Sequence, residues 1–203
     1  DLFAGDSVTL SVTAVSSSAT LSYRWRRNGE TIRSAGPTLT LDRVTPNDAG
    51  IYDVIVRGGA SASVSRAARI RVWTPRFDAE TGSPSFYSLT SQPWNWREAE
   101  LEALQMGGHL VALSDRAESD WIKATFLPVL DTPRALWIGL TDEAEEGVFR
   151  WTNGEPVTFT DWMPNEPNNT NGEHFVGIAN GVHWAGSVAG RWNDYALSDA
   201  AGG

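Results

Sequence analysis

Residues 95–113 read NWREAELEALQMGGHLVAL, a pattern typical of an amphipathic helix with both of its ends marked. Asn95 can cap the first turn, and Glu98, three residues later, is the partner that completes a capping box. Gly107 and Gly108 end the helical pattern. Between these ends, apolar residues recur at helical spacing, at Ala99, Leu101, Leu104 and Met106. We therefore predict a helix in this stretch.

The residues that follow predict a second helix and then strands. We expect Ser114 to cap a helix that contains the apolar residues Ala117, Trp121, Ile122 and Phe126. Three strand-like segments come next: LWIGL at 136–140, FRWTNGEPVTF at 149–159 with a hairpin turn at Asn153-Gly154, and EHFVGIA at 173–179. Two helices followed by short strands predict an α+β unit.

Upstream of this unit the sequence alternates between apolar and polar residues. Short β-branched segments cover residues 7–15, 21–32, 38–44, 50–58 and 68–73, with turn residues between them. Regular strands without helical periodicity predict an antiparallel β-sandwich over residues 1–73. A polar stretch bearing proline and glycine follows, and we interpret residues 74–83 as a linker to a second domain over 84–203.

Charge and composition exclude several classes of function. Residues 1–83 carry 8 acidic against 10 basic side chains, and residues 84–203 carry 17 against 6, so the two parts have net charges of +2 and −11. An acidic domain is a poor partner for nucleic acid, whose phosphates require a basic face, and it suits a cation better. No apolar run approaches the roughly 18 residues of a membrane span. With no cysteine, disulfides and thiolate-ligated metals are excluded.

Two short segments concentrate carboxylates and carboxamides. They read NEPNNTNGEHF at 165–175 and RWNDY at 191–195. Calcium takes six to eight oxygen ligands at about 2.3–2.6 Å, and these side chains supply such oxygens. The candidate ligands are Glu166, Asn168, Glu173, Asn193 and Asp194. Because asparagine, glycine and proline also form turns, a polar surface loop without a ligand is the alternative.

The first domain resembles the immunoglobulin family. Trp25 matches the buried tryptophan of strand C, and Asp48 to Tyr52 resembles the tyrosine corner. Val12 and Val54 stand where that family usually has its cysteine pair. The first strand of the family has no clear counterpart here. The resemblance implies a spacer or adhesion module, since no residue set in this domain suggests chemistry.

The second domain resembles a C-type lectin domain over residues 84–203. The matching motifs are WREAELEALQMGGHLVAL at 96–113, WIGL at 137–140, Glu166-Pro167-Asn168 and Trp192-Asn193-Asp194, in family order. Ala103, Phe175 and Leu197 stand where the family usually has cysteines, and the last strand of the family has no counterpart. Cysteine-free versions of both domains in series resemble bacterial exported proteins, and we expect further domains in a larger chain.

The resemblance to C-type lectins implies calcium-dependent sugar binding. Glu166, Asn168, Glu173 and Asn193 would bind both the ion and the sugar hydroxyls, with Asp194 as a further calcium ligand and Pro167 in the cis form. The order Glu-Pro-Asn implies mannose, fucose or N-acetylglucosamine. A second calcium position would use Asp142, Glu146, Asn169 and Glu173. We expect it to be weak or empty, because Asn169 and His174 stand where carboxylates are usual. Trp162 and Trp184 are candidates for stacking on a sugar.

Other functions stay open at this point. An adhesion module of the same fold would bind protein, with structural calcium or none. No motif of an enzyme is present, although Glu166 and Glu173 can be imagined as a glycosidase pair. We therefore expect a binding protein that is not an enzyme, located outside the cell or at its surface, with glycans or glycoconjugates as partners.

Overall fold

The computed structural model describes residues 1–17, 20–130, 135–181 and 188–197. The chain divides into two compact units, Asp1–Ser91 and Gln92–Gly203. The described part of the first unit contains strands and a single 3₁₀ turn, whereas the second contains two α-helices and a sheet. No helix among the described residues has the length and apolar character needed to cross a membrane.

The described residues of the first unit form ten strands. They are β1 Leu2–Phe3, β2 Val8–Ser11, β3 Leu21–Arg27, β4 Glu30–Ala35, β5 Thr38–Leu41, β6 Gly50–Gly58, β7 Ser61–Val64, β8 Ala68–Ile70, β9 Val72–Phe77 and β10 Pro84–Tyr87. Strands β4, β3, β6 and β7 lie side by side in that order, with β8 also paired to β6, and β2 pairs with β5. β1 runs parallel to β9, which pairs in turn with β10.

The core of the first unit follows from alternation along its strands. In β6, every second residue from Gly50 to Val56 is buried, as a strand with one core-facing side requires. Tyr52, Val54 and Trp25 pack together in one apolar cluster. The Tyr52 hydroxyl donates to the carbonyl oxygen of Asp48 at 2.8 Å, so the buried phenol keeps a hydrogen-bond partner.

The segment that the sequence predicts as a linker, 74–83, lies largely within a hairpin. Residues 74–77 belong to β9, and Phe77 pairs with Pro84 at the start of β10. Asp78 closes the turn between the strands, because its Oδ1 accepts the main-chain N–H of Thr81 at 2.7 Å and of Glu80 at 3.1 Å. A polar, glycine-bearing stretch fits a tight turn as well as a linker. The boundary between the units lies after Ser91.

The described part of the second unit consists of two α-helices and a four-stranded antiparallel sheet. Its elements are α1 Trp96–Gln105, α2 Arg116–Phe126, β11 Ala135–Thr141, β12 Arg150–Trp151, β13 Phe175–Ala179 and β14 Trp192–Tyr195. The strands lie in the order β12, β11, β13, β14. The predicted capping box of α1 is confirmed: Asn95 Oδ1 accepts the Glu98 N–H at 3.0 Å, and Glu98 Oε2 accepts the Asn95 N–H at 3.2 Å.

Two local predictions in this unit are wrong. Asp115, not Ser114, caps α2, because Asp115 Oδ1 accepts the Glu118 N–H at 2.7 Å. Ser114 instead donates its hydroxyl to Glu118 Oε2 at 2.8 Å. Within the predicted hairpin at 149–159, only β12 forms, and residues 155–159 beyond the turn at Asn153-Gly154 belong to no strand.

Aromatic rings from helix and sheet form the core of the second unit. The Trp96 ring of α1 packs on Phe175 of β13 with centroids 4.9 Å apart, and Trp137 of β11 meets Tyr195 of β14 at 5.5 Å. Leu197 packs against the same cluster. Phe175 and Leu197 therefore contribute apolar contacts at two positions where the resemblance leads one to expect cysteines.

A buried carboxylate fixes the chain that leads into the polar loop. Asp161 is fully buried and pairs with the side chains of Arg116, Lys123 and Arg191. Its carbonyl oxygen accepts the Trp192 N–H at 2.9 Å, and the Trp192 carbonyl accepts the N–H of Met163 at 2.8 Å. Residues 161–163 are therefore held directly beside β14.

Gly139 provides a test of packing between β11 and the segment after α1. A Cβ at this position would lie 2.6 Å from the Leu110 carbonyl oxygen and 2.8 Å from Thr152 Oγ1. We predict that Gly139→Ala lowers the free energy of unfolding of the second unit by about 1–3 kcal/mol, since the contacted backbone must shift. Denaturant unfolding followed by tryptophan emission measures the change, because eight of the ten tryptophans lie in this unit.

Gly108→Ala is the matched control. A Cβ there meets nothing within 4 Å, and the residue has no positive φ, so the change should stay within about 1 kcal/mol. Equal losses of stability in the two variants would contradict this account of Gly139.

Candidate functional site

The two polar segments predicted as a cation site lie on a loop and on a strand. The loop spans residues 164–174, between Met163 and β13, and has no helix or strand of its own. Asn165, Asn169 and Asn171 have positive φ values of 71°, 49° and 64°, a conformation that asparagine tolerates better than most residues. The Glu166-Pro167 peptide bond is cis, as the resemblance implies.

The strand half of the site is held by the sheet. Asn193 and Asp194 belong to β14, where they pair with Gly177 and Val176 of β13. Both polar side chains are buried, at 3% and 1% exposure. Buried polar groups require partners, so these two residues define where the loop has to supply donors or acceptors.

The carboxylate of Asp194 joins the two segments. It accepts the main-chain N–H of Asn168 at 3.1 Å and that of Asn169 at 2.8 Å. Charge-assisted bonds of this kind are stronger than neutral ones. The structure thus brings the loop onto the strand at the residues that the sequence predicts to meet.

Hydrogen bonds connect the other loop candidates to this contact. Asn168 Nδ2 donates to Glu166 Oε2. The N–H of Thr170 donates to Asn168 Oδ1 at 2.8 Å and to Glu173 Oε2 at 3.2 Å, so these two oxygens share one donor. One hydrogen-bonded network therefore connects four of the five predicted ligands: Glu166, Asn168, Glu173 and Asp194. We call these four residues and Asn193 the oxygen cluster.

Asn193 leaves a buried acceptor unsatisfied. Its Nδ2 donates to the Asp194 carbonyl oxygen, but its Oδ1 is buried and has no hydrogen-bond partner among the described residues. Asn169 Oδ1 is in the same situation. An unpaired buried acceptor costs about 1–3 kcal/mol, and a cation that accepts oxygen ligands would relieve that cost.

The electrostatics of the oxygen cluster also favour a cation. The pKa of Glu166 is raised, first by burial and then by the nearby carboxylate of Asp194. Two carboxylates that repel one another are stabilised by a positive charge between them. Among the described residues, the carboxylate oxygens of Glu166, Glu173 and Asp194 do not all lie within 4.8 Å of one another.

Two of the residues predicted for a second metal position lie in a second group, distinct from the oxygen cluster. Asp142 and Glu146 lie together with His174, and one ligand atom from each lies within 4.8 Å of the other two. Sequence reasoning also names Asn169 here; its main-chain N–H donates to Asp194, and its side-chain Oδ1 is buried without a hydrogen-bond partner among the described residues. The sequence could have pointed to His174 as a ligand, because it stands at a position where the resemblance predicts a carboxylate.

Trp162, proposed to stack on a sugar, is half-buried and packs against other aromatic rings. Its ring meets Trp192 edge-on with centroids 5.8 Å apart, and Phe149 at 5.0 Å. Trp192 is fully buried and also meets Trp151 and Phe159 edge-on, at 5.9 and 5.6 Å. These contacts anchor the residue directly before Asn193. Trp184, the other proposed stacking residue, lies outside the described residues.

Comparisons with known proteins agree on one family. The family profile described as Lectin C-type domain matches residues 92–199. The human protein C-type lectin domain family 17, member A is 33% identical over 108 residues, which are 53% of this chain and 25% of that protein. The alpha-N-acetylgalactosamine-specific lectin of Patiria pectinifera is 40% identical over 96 residues, 46% of this chain and 54% of its own length. The chain thus spans a quarter to about half of these relatives.

Solved structures named as C-type lectins are also similar to about half of the chain. The mouse scavenger receptor C-type lectin carbohydrate-recognition domain is 31% identical, with a TM-score of 0.42 over 51% of this chain and 72% of that chain. The C-type lectin CEL-I from Cucumaria echinata is 25% identical, with a TM-score of 0.47 over 54% and 79%.

The raised pKa of Glu166 predicts how stability depends on pH without metal. The folded protein binds more protons than the unfolded one between the ordinary glutamate pKa and the raised folded value. Ionisation of Glu166 therefore lowers the free energy of unfolding as pH rises through that window. In EDTA at neutral pH, we expect Glu166→Gln to melt at a higher temperature than the parent protein.

Below the ordinary glutamate pKa this advantage should disappear, because both states then carry a protonated Glu166. Thermal melts at several pH values, followed by tryptophan emission, measure it. The exposed Glu155 provides the matched control, Glu155→Gln. A parent protein that is the more stable of the two at neutral pH in EDTA would contradict the electrostatic account.

Proposed function

Since this chain belongs to the C-type lectin domain family through residues 92–199, we propose that its second unit binds carbohydrate with the help of a calcium ion. The observation that carries the proposal is the meeting of the two polar segments, where the Asp194 carboxylate accepts the amides of Asn168 and Asn169. The names of relatives support the class of ligand: one is an alpha-N-acetylgalactosamine-specific lectin.

The residues that would hold the ion are the five members of the oxygen cluster. All five offer oxygen, the donor that calcium prefers. Three carboxylates against a divalent ion leave one negative charge, which is enough for binding without strong repulsion. The unpartnered Asn193 Oδ1 supports the fit, because it is a preformed acceptor that no protein donor satisfies.

Sugar recognition would use the same side chains. Calcium, when bound, leaves coordination positions for two neighbouring sugar hydroxyls. Each hydroxyl can donate to a carboxylate, Glu166 or Glu173, and accept from an amide, Asn168 or Asn193. The Glu-Pro-Asn order favours mannose, fucose or N-acetylglucosamine, whose vicinal hydroxyls are equatorial. We propose no catalytic role for these carboxylates.

The first unit would act as a spacer of the immunoglobulin type. Support comes from the buried Trp25 and Val54, and from the Tyr52 hydroxyl bonded to the Asp48 carbonyl, the contact expected of a tyrosine corner. We further propose that the protein acts outside the cell or at its surface. A single shallow site would bind monosaccharides in the millimolar range, about −4 kcal/mol, so strong adhesion would need several sites together.

Calcium should stabilise the second unit. At a free concentration about 100 times Kd, a ligand that binds only the folded state adds about 2.7 kcal/mol. We expect Ca²⁺ to raise the melting temperature in the parent protein and to have little effect in Asn193→Ala. The order of stability in the Glu166 pair should also reverse, with the parent above Glu166→Gln when calcium is saturating. A melting temperature that calcium leaves unchanged would argue against the site.

Sugar binding is tested by calorimetry with methyl α-mannoside, in calcium and again in EDTA. We expect heat only in calcium, and its loss in Asn193→Ala with an unchanged circular dichroism spectrum. Asn153→Ala, at an exposed turn, is the control and should bind as the parent does. No heat in either buffer would favour a protein-binding module, and a glycan array that responds only to galactosides or N-acetylgalactosaminides would exclude the mannose-type preference.

A further inference from the structure

We propose that Asp142, Glu146 and His174 form a site for a divalent transition metal, Zn²⁺ being the best match. These residues lie where the resemblance places a second calcium ion, but an imidazole stands here in place of a usual carboxylate. The proposal does not depend on the proposed sugar-binding function. Asp142 follows β11, Glu146 lies in the turn after it, and His174 directly precedes β13. We call these three residues the mixed cluster, because it combines one imidazole with two carboxylates.

The distances fit a small, tetrahedrally coordinated ion. His174 Nδ1 lies 3.1 Å from Asp142 Oδ1 and 3.5 Å from Glu146 Oε2. Zinc bonds of about 2.0–2.2 Å at tetrahedral angles separate neighbouring ligand atoms by roughly 3.4 Å. Three protein ligands leave the fourth position for water or another small ligand.

The donor types favour zinc over calcium. Imidazole nitrogen is a common zinc ligand, whereas calcium takes oxygen. The two carboxylates neutralise a divalent charge. Within the described parts of the chain, neither Asp142 nor Glu146 pairs with a lysine or arginine, although the Asp142 side chain is only 1% exposed. A buried carboxylate with imidazole as its one basic partner suits a cation.

Contacts outside the ligand atoms hold the cluster in position. Asp142 Oδ2 accepts the Gly147 N–H at 2.8 Å, which leaves Oδ1 directed at His174. The His174 carbonyl accepts the Thr141 hydroxyl at 2.7 Å, and its N–H donates to the Tyr195 carbonyl at 3.1 Å. Outer contacts that orient ligands raise metal affinity, commonly by 10–100-fold.

The test is calorimetric titration with Zn²⁺ in saturating calcium, so that hard-ion positions are filled. We expect one equivalent of zinc to bind the parent protein. His174→Gln and Glu146→Gln should each weaken that binding by about 100-fold or more, because each removes a ligand. Glu146 is 55% exposed at its side chain, so its replacement does not endanger folding, and near-ultraviolet circular dichroism checks both variants.

His109→Gln is the matched control. Among the described residues, His109 pairs with one carboxylate, that of Glu100, at 2.6 Å, and it should contribute nothing to zinc binding. The proposal is overturned if the parent binds no zinc in calcium, if His174→Gln binds it as the parent does, or if His109→Gln loses it equally. If the protein binds zinc but gives no heat with sugars, the sugar-binding proposal is contradicted and the zinc proposal is not affected.

Discussion

The acceptance of two loop amides by the Asp194 carboxylate is the contact on which the arrangement of the site depends. The loop from 164 to 174 contains no regular structure, so no ladder of backbone bonds sets its position. Asp194 is buried in the sheet, and its charge has to be satisfied by donors that reach it. Asn168 and Asn169 provide those donors, which is why a polar, proline-bearing segment has a defined place.

Two neighbouring residues send their side chains to different clusters. Glu173 contributes to the oxygen cluster through Thr170, and His174 contributes to the mixed cluster through Asp142. A single step along the backbone therefore separates an environment of oxygen donors from one that contains an imidazole nitrogen. The His174 N–H donates to the Tyr195 carbonyl oxygen at 3.1 Å, which holds His174 beside the end of β14.

Local patterns predicted much of this fold, and long-range pairing accounts for most of what they missed. The capping box of Asn95 and Glu98 lies within four residues and could be predicted directly. Ser114 and Asp115 are both good caps, and only the observed bond to the Glu118 N–H separates them. The turn at Asp78 uses the residue types of a linker, so composition alone could not distinguish the two.

In the candidate site, too, local patterns were predictable and contacts between distant residues were not. Residue chemistry pointed to Glu166, Asn168 and Asp194, because a cluster of oxygen donors is visible in a linear sequence. The meeting of His174 with Asp142 spans 32 residues and depends on how β13 lies beside β11. No spacing rule connects those positions, so sequence reasoning did not name His174 among the ligands of that group.

The tight packing around Trp192 gives the protein an internal optical reporter. This indole is enclosed edge-on by three other aromatic rings and directly precedes Asn193 in the chain. A ligand at the oxygen cluster that shifted the backbone of β14 slightly would change the angles between the Trp192 ring and its aromatic neighbours. Its near-ultraviolet signal would therefore register such a displacement without any attached dye.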